Sequence, residues 1–253
     1  MGDKKLTSLG RPRTGMKRNG PLQARRAQAE KARPHAYEAR LLTRLRELAS
    51  PERAAQEKRY QKFRWGHWGV SLPNMDRAIR EHLAGADEDE LLALCERLWR
   101  EPVWDLKIVA GRVLGGKAVA PDERVWRFIF ERMPELDGWA VEDNLQSAAS
   151  RCLLADPRRL DVVETWVENP HLWTRRASLV FTLPWTKPGR DPERTLGWAA
   201  RLLRDREWFI QKAIGWQLRS LSKTSPERVR AFLRAHEGAV KGVALREATK
   251  YLK

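Results

Sequence analysis

WDLKIVAGRVL at residues 104–114, WAVEDNLQSAA at 139–149, WTRRASLVFTL at 173–183, FIQKAIGWQLR at 209–219 and LREATKYL at 245–252 read as five versions of one helical segment. Each opens on a large apolar residue and repeats apolar side chains at three- and four-residue spacing, the period of an α-helix with one buried face. Their starts, Trp104, Trp139, Trp173, Phe209 and Leu245, lie 35, 34, 36 and 36 residues apart. Each interval leaves room for a second amphipathic helix, at Asp122–Arg132, Pro157–Trp166, Glu193–Leu203 and Pro226–His236. A helix pair repeated at constant spacing predicts an all-α helical-repeat solenoid, whose stacked pairs curve. The second helices of successive pairs are expected to line its concave face. The alternative is an ordinary helical bundle with coincidental spacing.

Helical periodicity also covers Ala36–Leu48, Met75–Leu83 and Glu88–Leu98, and strand-like alternation is scarce. Ser50-Pro51-Glu52, Asp87 and Ser225-Pro226-Glu227 mark helix starts, each placing a capping side chain ahead of Pro or acidic residues. Residues 1–40 differ from the rest. They hold eleven Lys or Arg against Asp3, Glu30 and Glu38, a surplus of eight and half the formal net charge of +16. Their first part is rich in Gly and Pro and nearly empty of large apolar residues, so it cannot bury enough surface to offset the entropy of ordering. The expected organisation is a disordered basic arm at 1–40 and one helical-repeat domain at 41–253.

With 49 Lys and Arg against 33 Asp and Glu, the chain is suited to a polyanionic partner. Nucleic acid fits better than a membrane surface, because there is no signal-type apolar run and no apolar stretch near the length that spans a bilayer. A soluble, cytoplasmic protein associated with the nucleoid is expected. Cys95 and Cys152 are too few for a disulfide framework, a zinc cage or a four-thiolate cluster, and the five histidines show no metal-ligand spacing. Gly111–Lys117 matches part of a phosphate-binding loop, but position 118 is Ala where a magnesium-binding hydroxyl belongs, and a helix precedes it where the motif needs a strand. A helix ending at Gly115-Gly116 is the simpler reading.

Twelve tryptophans in so basic a chain fill a core or meet bases and sugars. Trp104, Trp166, Trp173 and Trp198 are assigned to helix packing. Trp139 and Trp216 share their helices with polar residues. Trp139 and Asp143 are four apart and project from one face, and Trp216 sits between Lys212 and Arg219. Glu142 lies about 100° round the helix from Asp143 and is expected to face elsewhere.

Phe209–Thr224 (FIQKAIGWQLRSLSKT) followed by Leu245–Leu252 closely resembles the AlkD-type DNA alkylation repair family of HEAT-like repeat proteins. Tyr60–Pro73 (YQKFRWGHWGVSLP), Trp139–Asp143 (WAVED) and Trp173–Ala177 (WTRRA) agree in order and spacing, and the resemblance covers about residues 52–252. It implies a HEAT-like solenoid with a concave DNA-binding face, acting as a monomer on double-stranded DNA that contains alkylated bases. It implies a DNA glycosylase that removes cationic 3-alkyladenine and 7-alkylguanine. By the same resemblance Asp143, Trp139 and Trp216 are the catalytic residues, Arg176 lies at the DNA backbone and Tyr60 borders the cleft. Lys212, Arg219, Lys223 and Arg246 are read as further DNA-binding residues, with Arg176 and Lys212 contacting phosphates rather than forming structural ion pairs. The family often carries a Trp-Trp-Asp run where this chain has Gly138-Trp139-Ala140, and Glu142 adds a carboxylate beside Asp143.

An alkylated purine is already a cationic leaving group, so the resemblance implies a site that needs one carboxylate and no metal or other cofactor. Two other readings stay open on sequence: a non-catalytic DNA-binding member of the family, against which the retained Asp143 speaks, and a protein-binding HEAT-like scaffold, which weak and salt-insensitive DNA binding would favour.

Overall fold

The helical periods in the sequence become thirteen α-helices, with no strand, in a computed structural model that describes residues 36–252. Most of the basic arm expected at 1–40 lies outside the described residues. Residues 36–40, however, already belong to helix α1 (36–47), because this turn carries Leu41 and Leu45 into the core, where both are fully buried.

The remaining helices are α2 (Pro51–Gln61), α3 (Leu72–His82), α4 (Glu88–Arg100), α5 (Trp104–Leu114), α6 (Glu123–Arg132) and α7 (Trp139–Ala155), then α8 (Leu160–Trp166), α9 (Leu172–Val180), α10 (Glu193–Arg201), α11 (Trp208–Ser222), α12 (Pro226–Ala235) and α13 (Gly242–Thr249). The five quoted segments are α5, α7, α9, α11 and α13, and the intervening amphipathic stretches are α6, α8, α10 and α12. Caps follow the expected chemistry at Ser50, which accepts from the Arg53 amide, and at Asp87, which forms a reciprocal capping box with Glu90. Ser225 departs from expectation: its ψ of 66° leaves the hydroxyl without a cap hydrogen bond, and Pro226 opens the helix instead.

Helices α5, α7, α9, α11 and α13 pack on one another in sequence order. The approach is closest between α11 and α13, where Gly215 faces Ala244 and a Cβ at position 215 would stand 2.7 Å from Glu247 Cβ. The other layer is joined by long side chains. Arg124 reaches back to Glu88, Arg159 to Glu123, Arg194 to Asp161 and Arg228 to Asp191, each spanning one repeat. Such exposed pairs contribute little stability, about 0–1 kcal/mol each. The second helices were expected to line the inner face, but the cleft described below is lined by α2, α7, α9 and α11, none of them a second helix of the five quoted repeats.

Gly115 ends α5 with its amide on the Gly111 carbonyl, as a helix terminus and not a phosphate loop. Trp104, Trp166 and Trp198 are buried as expected, whereas Trp173 is half-buried and packs against Phe209 at 5.0 Å between ring centroids.

Candidate active site

The site begins with two helix starts. Trp139 is the first residue of α7 and Trp208 the first of α11, and each has a charged residue one turn on, Asp143 and Lys212. Four-residue spacing puts each pair on one helix face. Gly138 precedes Trp139 in extended backbone, and a Cβ there would fall 1.6 Å from the Phe63 ring. Only glycine lets that ring lie against the start of α7. Phe63 in turn follows Lys62, which ends α2 in the left-handed region at φ 55°, turning the chain just after Tyr60. The loop beyond is anchored by the buried Asp105 carboxylate, which accepts from the amides of Trp68 and Val70 at 2.8 Å each. Tyr60, 72 % exposed, thereby meets Trp139 edge-on at 6.3 Å between ring centroids.

Tyr60, Trp139, Asp143, Arg176, Lys212, Trp216 and Arg219 line one open cleft of about 430 Å³ with Trp208 and Phe209. Seven of the nine sequence-chosen residues thus come together from α2, α7, α9 and α11. Lys223 and Arg246 do not line it. Both are exposed, Lys223 with its ammonium 4.7 Å from the Tyr251 ring centroid. Trp208, 55 % exposed and edge-on to Phe209, was missed by sequence reasoning, although positions 208, 212 and 216 repeat every four residues along one face.

Arg176 occupies the centre. Its guanidinium donates to Asp143 Oδ1 at 2.8 Å and stands 3.1 Å from Glu142 Oε1. At 3 % exposure it is a buried ion-pair partner, which corrects its reading as a freely presented phosphate contact. Glu142 faces away from the cleft, as expected, but into the protein interior, where it meets the same guanidinium. The long Arg176 side chain, coming from α9 across α7, reaches both adjacent carboxylates despite their angular separation. Glu142 is fully buried, and among the described residues neither of its oxygens has a well-formed hydrogen bond. Burial pushes its carboxyl up to about 8, with Arg176 opposing and the Asp143 charge adding to the rise. Burial also raises Asp143, again opposed by Arg176. Among the described residues the hydrogen bond to Asp143 is made at Oδ1, and its side chain remains 25 % exposed, so Asp143 is the acidic member open to the cleft.

Lys212 and Arg219 share a partner, Glu247 of α13. Lys212 Nζ lies 3.0 Å from one oxygen and Arg219 donates to the other. The Lys212 hydrogen bond and the Arg219 charge hold Glu247 below the usual carboxylate range. Lys212 is therefore a structural ion-pair partner as well as a cleft residue. Among the described residues, no group of three or more His, Cys, Asp or Glu side chains is arranged to hold a metal ion, and no helix is long and apolar enough to cross a membrane.

This arrangement offers one accessible carboxylate among aromatic faces, with cations on the rim. It can attract a phosphodiester backbone and stabilise positive charge developing on a group pressed into the cleft.

Comparison with known proteins gives a consistent fold. A family model described as DNA alkylation repair enzyme matches residues 41–252. A predicted DNA alkylation repair enzyme from Enterococcus faecalis superposes with a TM-score of 0.67 at 22 % identity, covering 81 % of this chain and 96 % of that one. AlkD2 from Streptococcus mutans superposes at 0.57 with 17 % identity over 80 % and 98 % of the two chains. The structure of smu.31 from Streptococcus mutans UA159 does so at 0.57 with 18 % identity over 83 % and 100 %. No curated protein matches the chain.

Proposed function

Because this chain belongs to the DNA alkylation repair enzyme family, we propose that it is a DNA glycosylase that hydrolyses the N-glycosidic bond of cationic alkylated purines, 3-alkyladenine and 7-alkylguanine, in double-stranded DNA. The observation that carries this reading is the isolation of Asp143 as the accessible carboxylate beside Trp139 and Trp216 in the cleft. The chemistry requires little more. The bond from C1′ to the base nitrogen breaks with its electron pair passing to the cationic purine, which departs neutral without prior protonation. The deoxyribose takes on oxocarbenium character, as in glycoside hydrolysis. Asp143 stabilises that charge and directs a water to C1′, whose proton passes to the carboxylate and on to solvent, leaving an abasic site. The faces of Trp139 and Trp216 enclose the sugar, and Tyr60 and Trp208 border the entrance.

Arg176 supports this chemistry from behind by holding Asp143 ionised and in place. Phosphate contacts fall to Lys212 and Arg219 at the rim and to Lys223 and Arg246 at the exposed C-terminal end, with the basic segment at 1–40 adding charge. The protein acts as a monomer on DNA, within the cytoplasm at the nucleoid. The test is to incubate the purified protein with a duplex carrying a single 7-methylguanine and assay for the abasic site. Tight, salt-sensitive binding without excision would leave a DNA-binding module.

A further inference from the structure

Glu142 is the second carboxylate held by Arg176, and the proposed chemistry does not use it. It cannot touch DNA, since the side chain is 0 % exposed and both oxygens are enclosed. Burying an ionised carboxylate without hydrogen bonds is costly unless a charge compensates it. The available charge is Arg176, whose same Nη1 atom also serves Asp143. Several other charged groups on the packed helices have partners of their own. On α5, Asp105 holds the Trp68 and Val70 amides, Lys107 turns to the Trp99 and Glu101 carbonyls, and Arg112 pairs with Asp76. On α6 Arg132 pairs with Glu96, and on α9 Arg175 pairs with Asp205. One guanidinium thus stands between two carboxylates of different exposure.

We propose that Glu142 is a positioning residue that sets, through the shared guanidinium of Arg176, how much negative charge Asp143 presents to the cleft. While Glu142 carries its proton, Arg176 is committed to Asp143 and largely balances it. When Glu142 ionises, the guanidinium is divided between two anions, and the net charge facing C1′ becomes more negative. The excision step then accelerates on the alkaline side of neutrality. The role rests on the glycosylase reading above, but the ionisation behind it has a readout of its own. From the ordinary carboxylic range to about 8, the folded chain holds a proton at Glu142 that the unfolded chain has lost, so this residue makes stability fall as pH rises across that window.

Two measurements test it. Single-turnover excision of 7-methylguanine between pH 6.5 and 9 is expected to rise on the order of tenfold in the wild type, the scale of one added charge near a partly buried site. Glu142→Gln should hold a single rate across the range, whereas wild-type and variant profiles of the same shape would overturn the proposal. Thermal melting of wild type, Glu142→Gln, Asp143→Asn and the double variant from pH 5 to 9 needs no activity. Glu142→Gln should gain in melting temperature relative to wild type as pH rises, and its effect should not add to that of Asp143→Asn at pH 9. Additive, pH-independent effects would also overturn it. Absence of excision in the wild type with a coupled, pH-dependent melting cycle would instead sink the glycosylase reading and leave the charge-sharing in place.

Discussion

Arg176 on α9 donates to Asp143 on α7 at 2.8 Å across 33 residues of sequence, so the accessible carboxylate of the cleft is held by a neighbouring repeat and not by its own helix. The position of Asp143 is therefore a property of the stack, and its chemistry depends on both partners.

Asp143→Asn keeps the volume of the side chain and removes its charge. Excision is expected to fall on the order of 10²-fold, about 2.7 kcal/mol of transition-state stabilisation. Binding to undamaged duplex should be unchanged or slightly tighter, since the group faces a polyanion. Equal excision rates for variant and wild type would remove Asp143 from the mechanism.

Arg176→Ala should act mainly on stability, because it strands two carboxylates, one of them fully buried, without their cation. A loss of about 3–5 kcal/mol is expected at neutral pH, moderated to the extent that Glu142 stays protonated. Denaturant unfolding measures it. A loss of DNA affinity with unchanged stability would restore the phosphate-contact reading.

Glu247→Gln releases Lys212 and Arg219 from their shared anion while keeping the Cβ that packs on Gly215. Affinity for duplex DNA should rise at low salt, and the slope of log K against log salt should steepen by about one phosphate contact. Titrations by fluorescence anisotropy at several salt concentrations decide this. An unchanged slope would mean that neither cation reaches the backbone.

Gly138→Ala would place a methyl group inside the present volume of the Phe63 ring, 1.6 Å from two of its carbons. Displacing the ring should cost about 1–3 kcal/mol and shift Trp139 relative to Tyr60. Lower melting temperature together with reduced excision is the expected outcome. Full activity in the variant would show that Trp139 tolerates a moved helix start.

The helix pairs, their order and their near-36-residue period were determined by the sequence alone, because apolar spacing along one helix is a local property. The same holds for the joint placement of Trp139 with Asp143 and of Lys212 with Trp216 and Arg219, each pair or trio lying on one face of one helix. Trp208 was legible by the same rule and was passed over. What only the tertiary structure decided are the relations between helices. The burial of Arg176, its division between Glu142 and Asp143, and the sharing of Glu247 by Lys212 and Arg219 all join residues 28 to 35 apart in the chain. Which helices line the cleft was decided there too, since its walls come from α2, α7, α9 and α11. An arginine is long enough to reach either of two adjacent carboxylates, and whether it meets solvent or an acid depends on the rotation and separation of neighbouring repeats. Periodicity along a single helix carries no information about either.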